Sequence, residues 1–192
     1  MSLTAITGGI GAGKSVVSAM LTAMGYDVFD CDSEAKKIMD SDTSIKSRLK
    51  TEIHAETVRH DGSIDRQRIS SVVFSDKAKL QILNDIVHGA VRRRINTWAT
   101  EHRANSHLFV ETAILYQSGL DKMVDDVIEV IAPDEIRIMR VVRRNNCDEA
   151  QVAARISAQQ FVPQTRHKHI SEIINDDKLP VLPQLLAYLA SH

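Results

Sequence analysis

The chain has 192 residues and a mass of 21.4 kDa, enough to bury roughly 70% of its unfolded surface around one main core; at 43% hydrophobic and 26% charged residues it sits at globular averages, which excludes bulk disorder. Lysine and arginine (24) nearly cancel aspartate and glutamate (25), leaving a formal charge of -1 and no global field toward nucleic acid or an anionic membrane, so any anion site must be local. Two cysteines, Cys31 and Cys147, make no disulfide framework, no basic and apolar leader follows Met1, and no apolar run approaches the roughly 20 residues of a membrane span, all of which predicts a cytoplasmic protein with neither nucleic-acid nor membrane partners.

Residues 3–7 are short, apolar and β-branched, and they run into glycines and then an apolar pattern of helical period through Val16, Val17, Met20 and Leu21. This spacing predicts a strand, a loop and a helix. Gly25 is placed to end that helix, and residues 26–29 read as a second strand finishing in Asp30-Cys31-Asp32. Residues 33–106 are helical in period, have Gly62 and Gly89 as their only breakers, and far exceed the dozen or so residues a crossover needs. They predict a helical insertion at the sheet edge, read either as a substrate-binding subdomain or as helices that only thicken the fold. Strands are then expected at 107–111, 124–132 and 172–174, with a helix at 134–144. Such alternation implies an α/β fold with a parallel sheet flanked by helices.

The strongest chemical signal is GxxxxGK[ST] across residues 8–15, lying between a strand and a helix. Gly8, Gly9, Gly11, Ala12 and Gly13 form a loop whose backbone N–H groups, with the N-terminus of the next helix, cradle phosphates. Lys14 is placed to neutralise the β and γ phosphates and Ser15 to ligate Mg²⁺. Mg²⁺ and a nucleoside triphosphate are therefore the expected cofactor and substrate. No NKxD-type guanine motif is present. Asp30 and Asp32 close the second strand; if it persists through Cys31, their i, i+2 spacing puts both carboxylates on one side, at the end of a parallel sheet where ligands sit. One of the two carboxylates could receive the proton of an acceptor hydroxyl while the other holds water or Mg²⁺, and Glu111 after the third strand is a further candidate for Mg²⁺. The competing reading has Asp32 or Ser33 capping the following helix.

Arg137, Arg140 and Arg144 fall at i, i+3 and i+7 with Arg143 beside them, along one helix face. They suit a lid that brings cations to a transferring phosphoryl group, extended by residues 159–169 with Arg166 and Lys168; a solvated basic face is the alternative. Arg92-Arg93-Arg94 spreads around its helix and reads as surface. His88 is a lone histidine after Ile86-Val87, fitting a core or capping role or a substrate contact.

Five segments carry a family resemblance over nearly the whole chain. They are Thr7-Gly8-Gly9-Ile10-Gly11-Ala12-Gly13-Lys14-Ser15; Asp30-Cys31-Asp32; Asp61-Gly62-Ser63-Ile64-Asp65-Arg66 leading to Val73-Phe74; Leu83-Asn84-Asp85-Ile86-Val87-His88; and Arg140-Val141-Val142-Arg143-Arg144 followed by Arg155-Ile156-Ser157-Ala158-Gln159. The chain resembles the dephospho-CoA kinases. The likeness implies a P-loop kinase-like fold of 192 residues in one domain, with a nucleotide core at 1–32 and 107–192, a helical CoA-binding insertion at about 33–106 and a lid at about 140–169. It implies transfer of the γ-phosphate of ATP to the ribose 3′-hydroxyl of dephospho-CoA, with Mg²⁺ and ATP as cofactor and co-substrate, Gly11 to Val16 as the ATP loop, Asp32 as base and substrate contact, His88 as substrate contact, and Arg140 and Arg144 as lid arginines. The alternatives are another P-loop small-molecule or nucleoside monophosphate kinase, or a nucleotide-dependent regulatory protein without transfer activity.

The chain departs from the family pattern at several points. The usual Asp-x-Pro-Leu-Leu-Phe-Glu appears as Glu111-Thr112-Ala113-Ile114-Leu115-Tyr116-Gln117, Gly89 stands where a proline follows His88, and Lys36 where an arginine is common. Asn145 replaces the acid after Arg144, and Phe161-Val162-Pro163 replaces a polar lid segment.

Overall fold

A computed structural model describes residues 1–158 and 166–192; the expected lid residues 159–165 lie outside them. The chain divides into two compact units, one of residues 1–29 and 103–192 and the other of residues 30–102.

The first unit is built on a five-stranded sheet. Its strands are β1 (Ser2–Thr7), β2 (Asp27–Asp30), β3 (His107–Glu111), β4 (Asp126–Ile131) and β5 (Ile170–Ile174), in the order β2-β3-β1-β4-β5. β1 runs parallel to β3 and β4, and β4 parallel to β5, with Ile6 opposite Glu111 and Thr7 opposite Glu129. Residues 3–7 of β1 are all buried, as a central strand covered on both faces must be. The polar one among them that lies deepest, Thr4, is satisfied by His107 Nε2 at 2.8 Å and the Tyr188 hydroxyl at 3.0 Å. Burial pushes the Tyr188 phenol up to about 12.

Helices α1 (Lys14–Ala23) and α8 (Val181–Ser191) pack on the sheet. Val17, Leu21, Leu185 and Tyr188 meet Ile6, Phe109, Ile128, Val130 and Ile173 in the main core. Gly25 ends α1 as expected: its N–H donates to Thr22 O and that of Tyr26 to Leu21 O, both at 3.0 Å, with φ +91 at the glycine. This is the Schellman closure, which satisfies the last carbonyls of the helix. Helices α6 (Asp134–Asn145) and α7 (Glu149–Ala158) pair through Val141, Val152 and Ile156, and Ile10 joins that cluster.

The second unit contains α2 (Cys31–Ser41), α3 (Thr43–Arg48), α4 (Arg66–Ser75) and α5 (Lys77–Glu101) around Ile45, Leu49, Ile53, Val58, Ile64, Ile69 and Ile86. Aspartates start all four helices: Asp30, Asp42, Asp65 and Asp76 each accept backbone N–H bonds from the first turn, a contribution of about 1 kcal/mol apiece. Two expectations are corrected here. Gly89 does not break the helix, because α5 continues through it for 25 residues; the cost of one glycine, about 1 kcal/mol, is small against the packing of Ile86, Ala90 and Val91 on either side. Asp30 and Asp32 also do not share one side of a strand. β2 ends at Asp30 and α2 begins at Cys31, so period-2 geometry fails between them. The cap is Asp30 itself, neither Asp32 nor Ser33.

Candidate active site

β1 delivers the chain at Thr7 into the glycine loop, which returns as α1. Ala12 N–H donates to the Gly9 carbonyl at 3.1 Å, and Gly11 has φ +79, a torsion that glycine adopts without the steric cost a side chain incurs. Gly13 caps α1 at φ +99 with no side-chain bond to the helix, and no acid stands in the first turn. In the other unit carboxylates fill that role at the starts of α2, α3, α4 and α5; here no side chain offsets the partial positive end of the helix dipole, an arrangement suited to an anion.

Lys14 Nζ arches over the loop and donates to the carbonyls of Gly8 at 2.9 Å and Gly9 at 3.4 Å. Ser15 and Val16 are exposed on the next residues of α1, and the Ser15 hydroxyl has no hydrogen-bond partner among the described residues. Among those residues no group of three or more His, Cys, Asp or Glu is arranged to hold a metal ion. Magnesium on a nucleotide needs only one or two protein ligands beside phosphate oxygens and water, so a free hydroxyl beside a phosphate loop suits it. Glu111 ends β3 in register with Ile6, two residues before the loop.

α6 supplies the arginines. Arg137 Nε donates to the Ile10 carbonyl at 2.9 Å, and its Nη1 pairs with Asp134 at 2.7 Å. Arg140 spans more: Nη1 reaches the Gly11 and Ala12 carbonyls at 3.4 and 3.5 Å, while Nη2 bonds Asn175 at 3.1 Å and pairs with Asp177. Arg144, a turn further on, is exposed and among the described residues bonds only its neighbour Asn145 at 3.2 Å. Lys14, Ser15, Arg137 and Arg140 are thus gathered at one loop, and Arg144 is not drawn to it. Arg166 pairs with Glu129 on β4, which lies opposite Thr7 in the sheet register.

In the second unit, both oxygens of the Asp30 carboxylate are engaged, one by Asp32 and Ser33 N–H at 3.0 and 3.1 Å and the other by the Ser33 hydroxyl. The Asp32 carboxylate is exposed and has no partner among the described residues. His88 is half-buried on α5; burial foremost, then the nearby Arg92, pushes its imidazolium below the usual histidine range, so the ring is neutral near pH 7.

Asn175 and Asp177 are the residues that sequence reasoning missed. Asn175 follows β5, and its Nδ2 donates to the Ala12 carbonyl at 2.9 Å. Asp177 turns the chain at φ +62. Asn-Asp-Asp after the last strand is a turn signal at the ligand-binding end of a parallel sheet, which was the available clue.

Sheet, loop and helix order together define a P-loop kinase-like α/β protein. A sequence model of dephospho-CoA kinases matches residues 2–180. A dephospho-CoA kinase of Bacteroides fragilis is 34% identical over 185 residues, 96% of this chain and 90% of the relative, and one of Bacillus anthracis is 31% identical over 174 residues, 90% and 86% of the two chains. The crystal structure of a Thermus thermophilus protein superposes with a TM-score of 0.77 at 30% identity, covering 99% of this chain and 95% of that one. A dephospho-CoA kinase from Campylobacter jejuni, 20% identical, shares the fold at a TM-score of 0.69, covering 98% and 96%. The chain belongs to the dephospho-CoA kinase family, as the resemblance of its motifs implied.

Proposed function

We propose that this kinase transfers the γ-phosphoryl group of ATP to the ribose 3′-hydroxyl of dephospho-CoA, forming CoA and ADP, in the cytoplasm. The family match across residues 2–180, with Gly-Lys-Ser intact in the loop, carries the reading. In the reaction the bond from the γ-phosphorus to the bridging oxygen breaks, a bond to the 3′-oxygen forms, and the hydroxyl proton leaves to a base. Loop N–H groups and the α1 N-terminus hold the phosphates, Lys14 neutralises charge on them, and Ser15 is the magnesium ligand. The ion, when bound, neutralises phosphate oxygens as a Lewis acid. Asp32 takes the proton; its unengaged carboxylate two residues past the end of β2 supports this. His88, with a neutral ring that offers one donor and one acceptor, contacts the acceptor substrate. Residues 30–102 form the acceptor-binding insertion, and α6 and α7 belong to the lid. Cys31 and Cys147, neither of which is joined in a disulfide, suit a reducing compartment.

Coupled ADP release measured with dephospho-CoA, AMP, shikimate and buffer alone tests the substrate. Dephospho-CoA should give turnover well above the other three, and equal release in buffer would overturn the transfer reading. Arg140 and Arg144 are proposed to act on the moving phosphoryl group, and the Arg140 guanidinium beside the Gly11 and Ala12 carbonyls supports the first of them. Each Ala variant should then lose turnover more than ATP affinity. Equal losses would mean uniform ground-state binding, and neither loss at Arg144 would leave it a solvated residue.

A further inference from the structure

The orientation of one loop peptide is set from outside the loop. The Gly9 to Ala12 hydrogen bond closes a four-residue turn around Ile10 and Gly11. Gly11 has φ +79 whereas Ile10 is not in the left-handed region, which makes the turn type II. Types I and II differ by a flip of the central peptide, here the Ile10 carbonyl and the Gly11 N–H. Because a trans peptide is planar, those two groups point in opposite directions. Whatever holds the Ile10 carbonyl on one side therefore aims the Gly11 N–H to the other.

Arg137 is what holds it, through the 2.9 Å bond from Nε. The arginine is itself fixed: its side chain is only 15% exposed, Asp134 engages Nη1, and its guanidinium fills the space that a side chain at position 9 would need. Ile10 is pinned as well, by the α6 and α7 residues Val141, Val152 and Ile156. Asp134 balances the charge of Arg137, so the arginine is not a bare cation offered to phosphate.

We propose that Arg137 is a positioning residue, whose Nε locks the Ile10–Gly11 peptide in the flipped orientation so that the Gly11 N–H faces away from α6, ready for a nucleotide phosphate. This rests on the reading of the loop as an ATP site. It differs from the roles of Arg140 and Arg144 in needing a hydrogen-bond donor at one atom and no charge.

Three substitutions separate donor from charge. Counting bonds from the backbone, Gln places its Nε2 where Arg has Nε, whereas Lys and Met place a methylene and a methyl there. ATP affinity of the intact protein, measured by calorimetry, should fall about tenfold in R137K and R137M, the equivalent of one lost hydrogen bond, and by less than about threefold in R137Q. A phosphate-contacting cation would give the reverse order, with Lys above Gln. That order, or equal losses in Gln and Lys, or no loss in either, overturns the proposal. Amide NMR spectra recorded without nucleotide provide a readout independent of ATP: the Gly11 resonance should keep its parent position in R137Q and move in R137K and R137M. If the parent binds no ATP while Gly11 behaves in this way, the nucleotide reading fails and the latch stands; an unmoved Gly11 in all three sinks the latch whatever the loop binds.

Discussion

Lys14→Ala should lower turnover with dephospho-CoA by at least about 10²-fold, the scale on which an electrostatic contact to a transferring phosphoryl group acts. Its Nζ stands 2.9 Å from the Gly8 carbonyl and 3.4 Å from that of Gly9, so the ammonium is held against the loop proposed to receive the phosphates. Removing it also removes two side-chain bonds to the loop backbone, each worth about 1 kcal/mol net. The fold survives that loss, since Ala is the best helix former at the first position of α1, and a thermal melt close to the parent's is expected. Turnover from coupled ADP release, set beside ATP affinity from calorimetry, checks the role. A rate within about threefold of the parent, under 1 kcal/mol in barrier, would show that Lys14 only shapes the loop.

The phosphate loop was legible because glycines, a lysine and a hydroxyl at fixed spacing leave few other structures open, and the flanking strand and helix are read from apolar period alone. Reading failed where a local pattern had two solutions. Asp30-Cys31-Asp32-Ser33 serves equally as the end of a strand or as a cap followed by a first helical turn, and the second wins because Asp30 can satisfy the N–H groups of Asp32 and Ser33 at once. At Gly89, tertiary packing along α5 overrides a breaker. No element is expected from the sequence over the α8 stretch; there Val181, Leu185 and Tyr188 fill the main core, and Pro180 and Pro183 sit at or before the first turn, where they cost little. The clamp of Arg140 and Asn175 on the loop was the least accessible. Asn175 and Ala12 are 163 residues apart, and only the strand order that brings β4 beside β1 and β5 beside β4 makes them neighbours.

Asp32→Asn separates catalysis from helix capping, and the structure sharpens the comparison because the cap is Asp30. Asp32 lies in the first turn of α2 with an exposed carboxylate. Its favourable interaction with the helix dipole is worth at most about 1 kcal/mol, so the Asn variant should fold normally and melt within a few degrees of the parent. If the carboxylate accepts the 3′-hydroxyl proton, turnover falls by roughly 10² to 10⁴, the range for losing a general base. The lower end is expected, because a loose phosphoryl-transfer transition state demands little of a base. ATP affinity should shift little if the phosphates are held, as proposed, by the glycine loop. Asp30→Asn is the control. Asn caps a helix as well as Asp does, so this variant should keep α2 and lose less turnover than Asp32→Asn. A larger loss at Asp30 would reverse the two assignments, making Asp30 the reactive carboxylate and Asp32 the helix-end charge.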